Sequence, residues 1–200
     1  MMSSRGRWGI ALLAVGLALV AVVPAGQGAR DGENPARRRA AFQAVLALEA
    51  RLRTEILGVY RSAGPLAAAQ SYREIVERLS ATVGEERGVT LRRVRLLPIG
   101  RENAADAWER KQLAEWARKV SIGADPSQLE HFEVITSAGG VRQFRYMRGL
   151  RAEVYCLGCH GSQTRAAVRA VLQERAGDAS LHWVDEGGLL GAVSVIQTLE

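Results

Sequence analysis

Cysteine, histidine and proline are scarce in this chain: two, three and five in 200 residues. Two cysteines exclude a disulfide-dense scaffold, and they exclude a four-cysteine zinc or iron–sulfur site within one chain. There is no internal repeat and no low-complexity tract. The length fits one domain, or one domain with an appendage. A hydrophobic fraction of 48% argues against wholesale disorder. The formal charge of +6, from 27 Lys and Arg against 21 Asp and Glu, invites a nucleic-acid reading. The first thirty residues argue against it.

Arg5 and Arg7 precede Trp8–Val23, an apolar run of 16 residues without a charge, and Pro24-Ala25-Gly26-Gln27-Gly28-Ala29 follows with small residues. A basic start, an apolar middle and a small-residue exit are the plan of a secretory signal. Cleavage is expected after Ala25 or Ala29, leaving residues 1–29 as leader and 30–200 as the domain. The competing reading is an uncleaved anchor that associates the protein with a membrane, but the run is shorter than the roughly 20 residues that span a bilayer. Either way the expectation is a periplasmic protein without a nucleic-acid partner. Loss of Arg5 and Arg7 lowers the charge from +6 to +4. That excess suits acidic partners, anionic cofactor groups or a membrane surface.

Asn34-Pro35 reads as an N-cap with proline at the first helical position. Phe42, Val45, Leu48, Leu52, Ile56 and Val59 then recur every three or four residues, the stripe of an amphipathic helix. Gly64-Pro65 breaks it. A second helix carries Tyr72, Ile75, Leu79 and Val83, and ends at Gly84 or Gly88. Val89–Leu97 is expected as a strand, and Asn103 as the cap of a helix carrying Trp108, Leu113, Trp116 and Val120. Phe132–Thr136 and Val141–Leu150 flank Ser137-Ala138-Gly139-Gly140, a hairpin pattern. A helix with Val168, Val171 and Leu172 follows, and Gly191–Ile196 is expected as the last, buried strand. The order implies one α+β domain with an antiparallel sheet and N-terminal helices.

Cys156-Leu157-Gly158-Cys159-His160 carries the chemistry. C-x-x-C-H is a signature of covalent haem attachment. Two thiols one helical turn apart can form thioethers to two vinyl groups on one edge of a porphyrin, and the adjacent imidazole can then reach the iron. The motif therefore implies one covalent haem c per chain, bound by Cys156, Cys159 and His160. Three rivals share these residues. A thioredoxin-like dithiol needs the pair at a helix N-terminus, usually early in the domain. A zinc site would need His131 or His182 as a fourth ligand, and there is no second C-x-x-C and no H-x-x-x-H. A plain Cys156–Cys159 disulfide is compatible with export. Export also favours haem, because c-type attachment takes place outside the cytoplasm. For the sixth position on an iron the candidates are His131, His182, Met147 and Tyr72, or water, or nothing. Each of the four side chains also has an ordinary reading as surface or core. Arg92, Arg93, Arg95 and Arg101 form one cluster and Arg142, Arg145, Arg148 and Arg151 another. Most are expected on solvated strand faces, with one or two available for haem propionates.

Four stretches together resemble a family of exported single-haem c-type proteins with a PAS-like fold, found alone or as sensing domains of bacterial signalling proteins. They are Leu91-Arg92-Arg93-Val94 through Asn103-Ala104-Ala105-Asp106-Ala107-Trp108-Glu109, then Phe144-Arg145-Tyr146, then Cys156-Leu157-Gly158-Cys159-His160-Gly161, and finally Gly177-Asp178-Ala179 with Gly187-Gly188-Leu189-Leu190-Gly191-Ala192-Val193-Ser194-Val195. The resemblance runs from about Glu55 to Ile196. It implies a PAS-like sheet, haem on Cys156 and Cys159, and His160 on the iron. The chain departs from the family pattern in two places. Ile99-Gly100-Arg101 stands where relatives often have Arg-Asn-Pro, and Gln70-Ser71-Tyr72 lacks the cysteine that relatives often carry near the distal face. A cysteine-ligated iron is thereby excluded within this chain. The function expected is redox or diatomic-gas sensing, with a separate redox or signalling protein as partner. The alternative is a mono-haem electron carrier. An enzyme is not expected: a peroxidase would need a distal acid–base group, and only His131 or His182 could serve. The long first helix offers a homodimerisation surface or packs on its own sheet.

Overall fold

The structure, a computed structural model, describes the backbone of residues 25–137 and 139–199, and side chains from residue 34 onward in the same stretches. The apolar run of the expected leader lies outside the described residues. Among the described residues no helix is long and apolar enough to cross a membrane.

Helix α1 (Ala25–Arg87) is a hairpin of two limbs, broken at Gly64, whose φ of 83° and ψ of 176° are not helical. The break before Pro65 is where the sequence placed it. The start is not: the backbone is already helical at Ala25, so Asn34 caps nothing and Pro35 is an interior residue. Proline there costs the helix one N–H donor without ending it. The limbs run antiparallel, because Arg51 reaches Glu86 with two bonds of 2.9 and 2.8 Å and Arg78 reaches Glu55. Those exposed pairs contribute little. The limbs are held instead by the apolar stripes, which bury Ala44, Val45, Leu48 and Leu52 on one and Ile75, Leu79 and Val83 on the other. Gly88, at φ 64°, closes the second limb. The Val89 N–H bonds the Gly84 carbonyl and the Gly88 N–H bonds that of Glu85, the paired bonds of a Schellman cap.

The sheet has four antiparallel strands: β1 (Thr90–Val94), β2 (Glu130–Thr136), β3 (Arg142–Arg151) and β4 (Leu189–Thr198), in the spatial order β1-β4-β3-β2. The fold is α+β, as the order of elements implied. Side chains alternate between two covered faces. Leu91, Phe144, Tyr146, Val193 and Val195 pack on α1. Val94, Met147 and Ala192 pack on Leu113 and Trp116 of α2 (Ala107–Ser121). β1 is shorter than expected, because after Val94 the chain turns to form an isolated bridge from Arg95 to Ala104. β4 can lie this close to β1 because Gly191 has no side chain: a Cβ there would come within 2.4 Å of the Val94 carbonyl oxygen.

The cap of α2 is Asp106, not Asn103. Asp106 Oδ1 accepts from the Glu109 N–H and Glu109 Oε2 accepts from the Asp106 N–H, both at 2.8 Å, a reciprocal capping box. Asn103 instead accepts the Ile99 N–H at 3.1 Å and shapes the preceding turn. Glu109 has a second task. It is fully buried and accepts at 3.0 Å from Arg145, itself only 5% exposed, while Arg145 also reaches Asp106 at 2.7 Å and Arg92 approaches Glu109 at 3.5 Å. The Arg145 guanidinium lies 4.5 Å from the centre of the Trp108 ring. The solvated strand face expected for these arginines is therefore corrected for Arg92, Arg93 and Arg145. With both faces of the sheet covered, they are turned inward, and carboxylates or rings meet them.

Removing one partner of such a buried pair strands the other charge. Glu109→Ala is expected to cost about 3–5 kcal/mol of stability, read as a lower urea midpoint.

Candidate cofactor site

The motif residues lie between β3 and a fourth helix, α4 (Ala166–Ala176). After β3, Ala152 is buried and tied by two backbone bonds of 2.8 Å, to the Gly188 carbonyl and from the Gly187 N–H. A 3₁₀ turn, Val154–Cys156, leads into one turn of helix, α3 (Leu157–His160). The turn closes tightly at Gly161, where a Cβ would come within 2.8 Å of the Leu157 carbonyl oxygen. The Val184 N–H donates to the His160 carbonyl at 2.8 Å and fixes the end of the turn. Cys159 packs into a small cluster with Ala69, Ile99, Val168 and Leu172, which joins α4 to the second limb of α1.

Cys156, Cys159 and His160 line one cavity of about 870 Å³, walled by both limbs of α1, by β1 and by α3. Leu52, Ile56, Leu57, Val76 and Leu172 make much of it apolar. Both cysteines are half-buried free thiols. Burial pushes both thiols up, so they stay protonated at neutral pH. A thioredoxin-like dithiol needs the opposite shift. Among the described residues, no group of three His, Cys, Asp or Glu is arranged to hold a metal ion, which leaves the zinc alternative without a site.

His160 keeps some surface because it borders the cavity, yet protein surrounds the ring. Burial, then the cationic Arg95 and Arg93, push its pKa down from 6.5 to about 3. Its Nδ1 lies 3.1 Å from Arg95 Nη1. Arg93 lies two residues earlier on the same face of β1 and donates to the Tyr72 hydroxyl. Its guanidinium also lies 3.7 Å from Glu49 Oε1, which has no hydrogen-bond partner. Burial pushes the Tyr72 phenol up, so it keeps its proton.

The side chains considered for a sixth ligand separate clearly. Met147 is fully buried in the α2-facing core. His131 pairs with Glu133 at 3.2 Å and lies 5.5 Å from Trp108, also on the α2 side. His182 is exposed. Tyr72 alone of the four lines the cavity. Sequence reasoning missed Tyr60, which lines the cavity as well and whose ring lies 3.5 Å from where a Cβ of Gly158 would be. Glu49, Arg53 and Tyr60 run with Ile56 of the main stripe at spacings of three and four, and that branch of the stripe was the available signal.

The family model described as Tll0287-like matches residues 31–198. Among solved structures, the crystal structure of the cyanobacterial heme-protein Tll0287 is similar, with a TM-score of 0.56 and 16% identity over 80% of this chain and 96% of that one. At that identity the likeness is one of fold. No curated protein matches the chain.

A neutral, buried His160 leaves a mark on stability. Between about pH 6.5 and about pH 3 the unfolded chain binds a proton at this residue that the folded polypeptide does not. The stability of the polypeptide without a bound group is therefore expected to fall as pH drops through that window, by up to about 1.4 kcal/mol per pH unit from this residue. Urea unfolding across the window, with His160→Phe as the reference lacking this component, checks it.

Proposed function

The chain belongs to the Tll0287-like family, and we propose that it is an exported protein that binds one haem covalently, as haem c, and uses it to sense redox state or a diatomic gas. The observation that carries this reading is the convergence of Cys156, Cys159 and His160 on one cavity of about 870 Å³. That volume lies in the range of roughly 300–1,000 Å³ typical of cofactor sites. The structural relative is a heme-protein by name, which supports the reading.

The residues present fit the group. Two unpaired thiols, one helical turn apart, stand ready for two thioethers. A neutral imidazole stands next to them. The apolar walls suit a macrocycle, and Arg93 and Arg95 give the cavity cations for its carboxylates. Ser80 Oγ, on the same wall, is buried without a hydrogen-bond partner. When bound, the haem supplies an iron that changes oxidation state and accepts small ligands. The chain fixes the ring through Cys156 and Cys159, offers a nitrogen from His160, and excludes water with the α1 side chains.

Sensing is favoured over electron carriage by what else lines the cavity. Besides His160, the described lining residues include no second imidazole and no thioether. A six-coordinate low-spin carrier draws its second strong ligand from those groups. Tyr72 and Tyr60 contribute hydroxyls instead. Export rests on the pattern of residues 1–29. A PAS-like sensing role would have a separate redox or signalling protein read the site.

Two measurements test this. Chain produced with a cytochrome maturation system and then denatured is expected to weigh one haem more than the polypeptide, and Cys156→Ala with Cys159→Ala to lose that mass. A bare-polypeptide mass for the unsubstituted chain overturns the haem reading. The absorption spectrum of the reduced protein is expected to shift under CO; an unchanged spectrum returns the carrier reading.

A further inference from the structure

The contact between Arg95 and His160 has a chemical direction, and its consequence for iron ligation rests on the proposed binding of haem. Arg95 Nη1 lies 3.1 Å from His160 Nδ1. A guanidinium only donates and keeps its charge in proteins. Nδ1 must therefore accept, and the single proton of the neutral imidazole sits on Nε2. An imidazole protonated at Nε2 has no lone pair there for iron. Ligation through Nε2 moves the proton to Nδ1, and a metal-bound histidine donates that N–H to an acceptor. Arg95 is not an acceptor. The Arg95–His160 bond and iron ligation through Nε2 exclude each other.

Arg95 then needs another partner, because its charge persists. No ion pair among the described residues includes it. Its neighbour Arg93, on the same strand face and roughly 6.5–7 Å away by strand geometry, already has Glu49 at 3.7 Å and the Tyr72 hydroxyl. Arg93 and Arg95 thus lie side by side on one wall of the cavity, and of the two only Arg93 pairs with a carboxylate among the described residues. Uncompensated charge in an apolar site is costly, and a porphyrin brings two carboxylates.

We propose that Arg95 alternates between two partners, His160 Nδ1 and a porphyrin carboxylate, so that taking the carboxylate frees the histidine to ligate. Arg95, drawn to a carboxylate, would release His160 Nδ1 to carry the proton and leave Nε2 free to ligate. Arg95 is a positioning residue for His160 and a binding residue for the ring.

The test uses the full chain produced without the haem-attachment machinery and kept reduced, titrated with haem and with haem dimethyl ester. The ester is expected to bind about tenfold more weakly or worse, the size of a lost charge-assisted bond. Arg95→Leu is expected to bind the two alike, and Arg95→Lys to restore the preference for haem. In ¹⁵N-labelled haem-free chain, His160 is expected as the Nε2–H tautomer, and Arg95→Leu to shift it toward Nδ1–H. Should Arg95→Leu fail to fold, the lysine variant and the tautomer of the unsubstituted chain decide. Equal binding of both porphyrins to the unsubstituted chain, or an Nδ1–H tautomer there, overturns this inference alone. Binding of neither porphyrin overturns the haem reading and this inference with it.

Discussion

A guanidinium cannot give up its charge, and this sheet, covered on both faces, carries arginines on each. On the α2 face, Arg92 and Arg145 meet Glu109 and Asp106, two cations against two anions. Those charges balance, and they lock α2 to the sheet. On the α1 face, Arg93 meets Glu49 and the Tyr72 phenol, while Arg95 meets the His160 imidazole and no carboxylate among the described residues. The sheet alternation that orders the first set leaves the second in surplus. One face is architecture; the other leaves Arg95 without a carboxylate partner among the described residues.

The cavity exists because the apolar stripe of α1 outruns the sheet core. Leu48 and Leu52 reach the strands, where Leu91 and Val193 receive them. One turn later Ile56 lies at the edge of that core and lines the cavity, and a turn beyond it Tyr60 lies against Gly158 of the α3 turn. Small residues at Ala68 and Ala69 bring the returning limb close. The thiols hang on this frame from a turn pinned at Ala152, Gly161 and Val184, so the reactive atoms are placed by backbone bonds and not by the packing of long side chains.

Elements with one dominant period were legible in the sequence. The stripes of α1, the break at Gly64, the hairpin and the buried last strand all follow from spacing and turn chemistry. The motif at Cys156–His160 was legible because its spacing is rare and chemically specific. Two kinds of feature were not. Local competition between caps hid the start of α2: Asn103 and Asp106 are both good caps, and only the return bond from Glu109 decides between them. The fate of the arginines was hidden too. A strand such as β1 with mixed parity shows which residues share a face, but not whether a helix covers it. Tyr60 went unnoticed because the cavity-facing branch shares Ile56 with a stronger core stripe on the same limb.

β1 has a single neighbour in the sheet, β4, and their register joins Leu91 to Val195, more than a hundred residues downstream. Such long-range pairing is slow to form. A chain that has not yet paired β4 with β1 therefore holds both sulfurs before the strand that anchors the arginine wall is in place. Until that pairing forms, the thiols are open to chemistry, and the last ten-residue strand closes the interval.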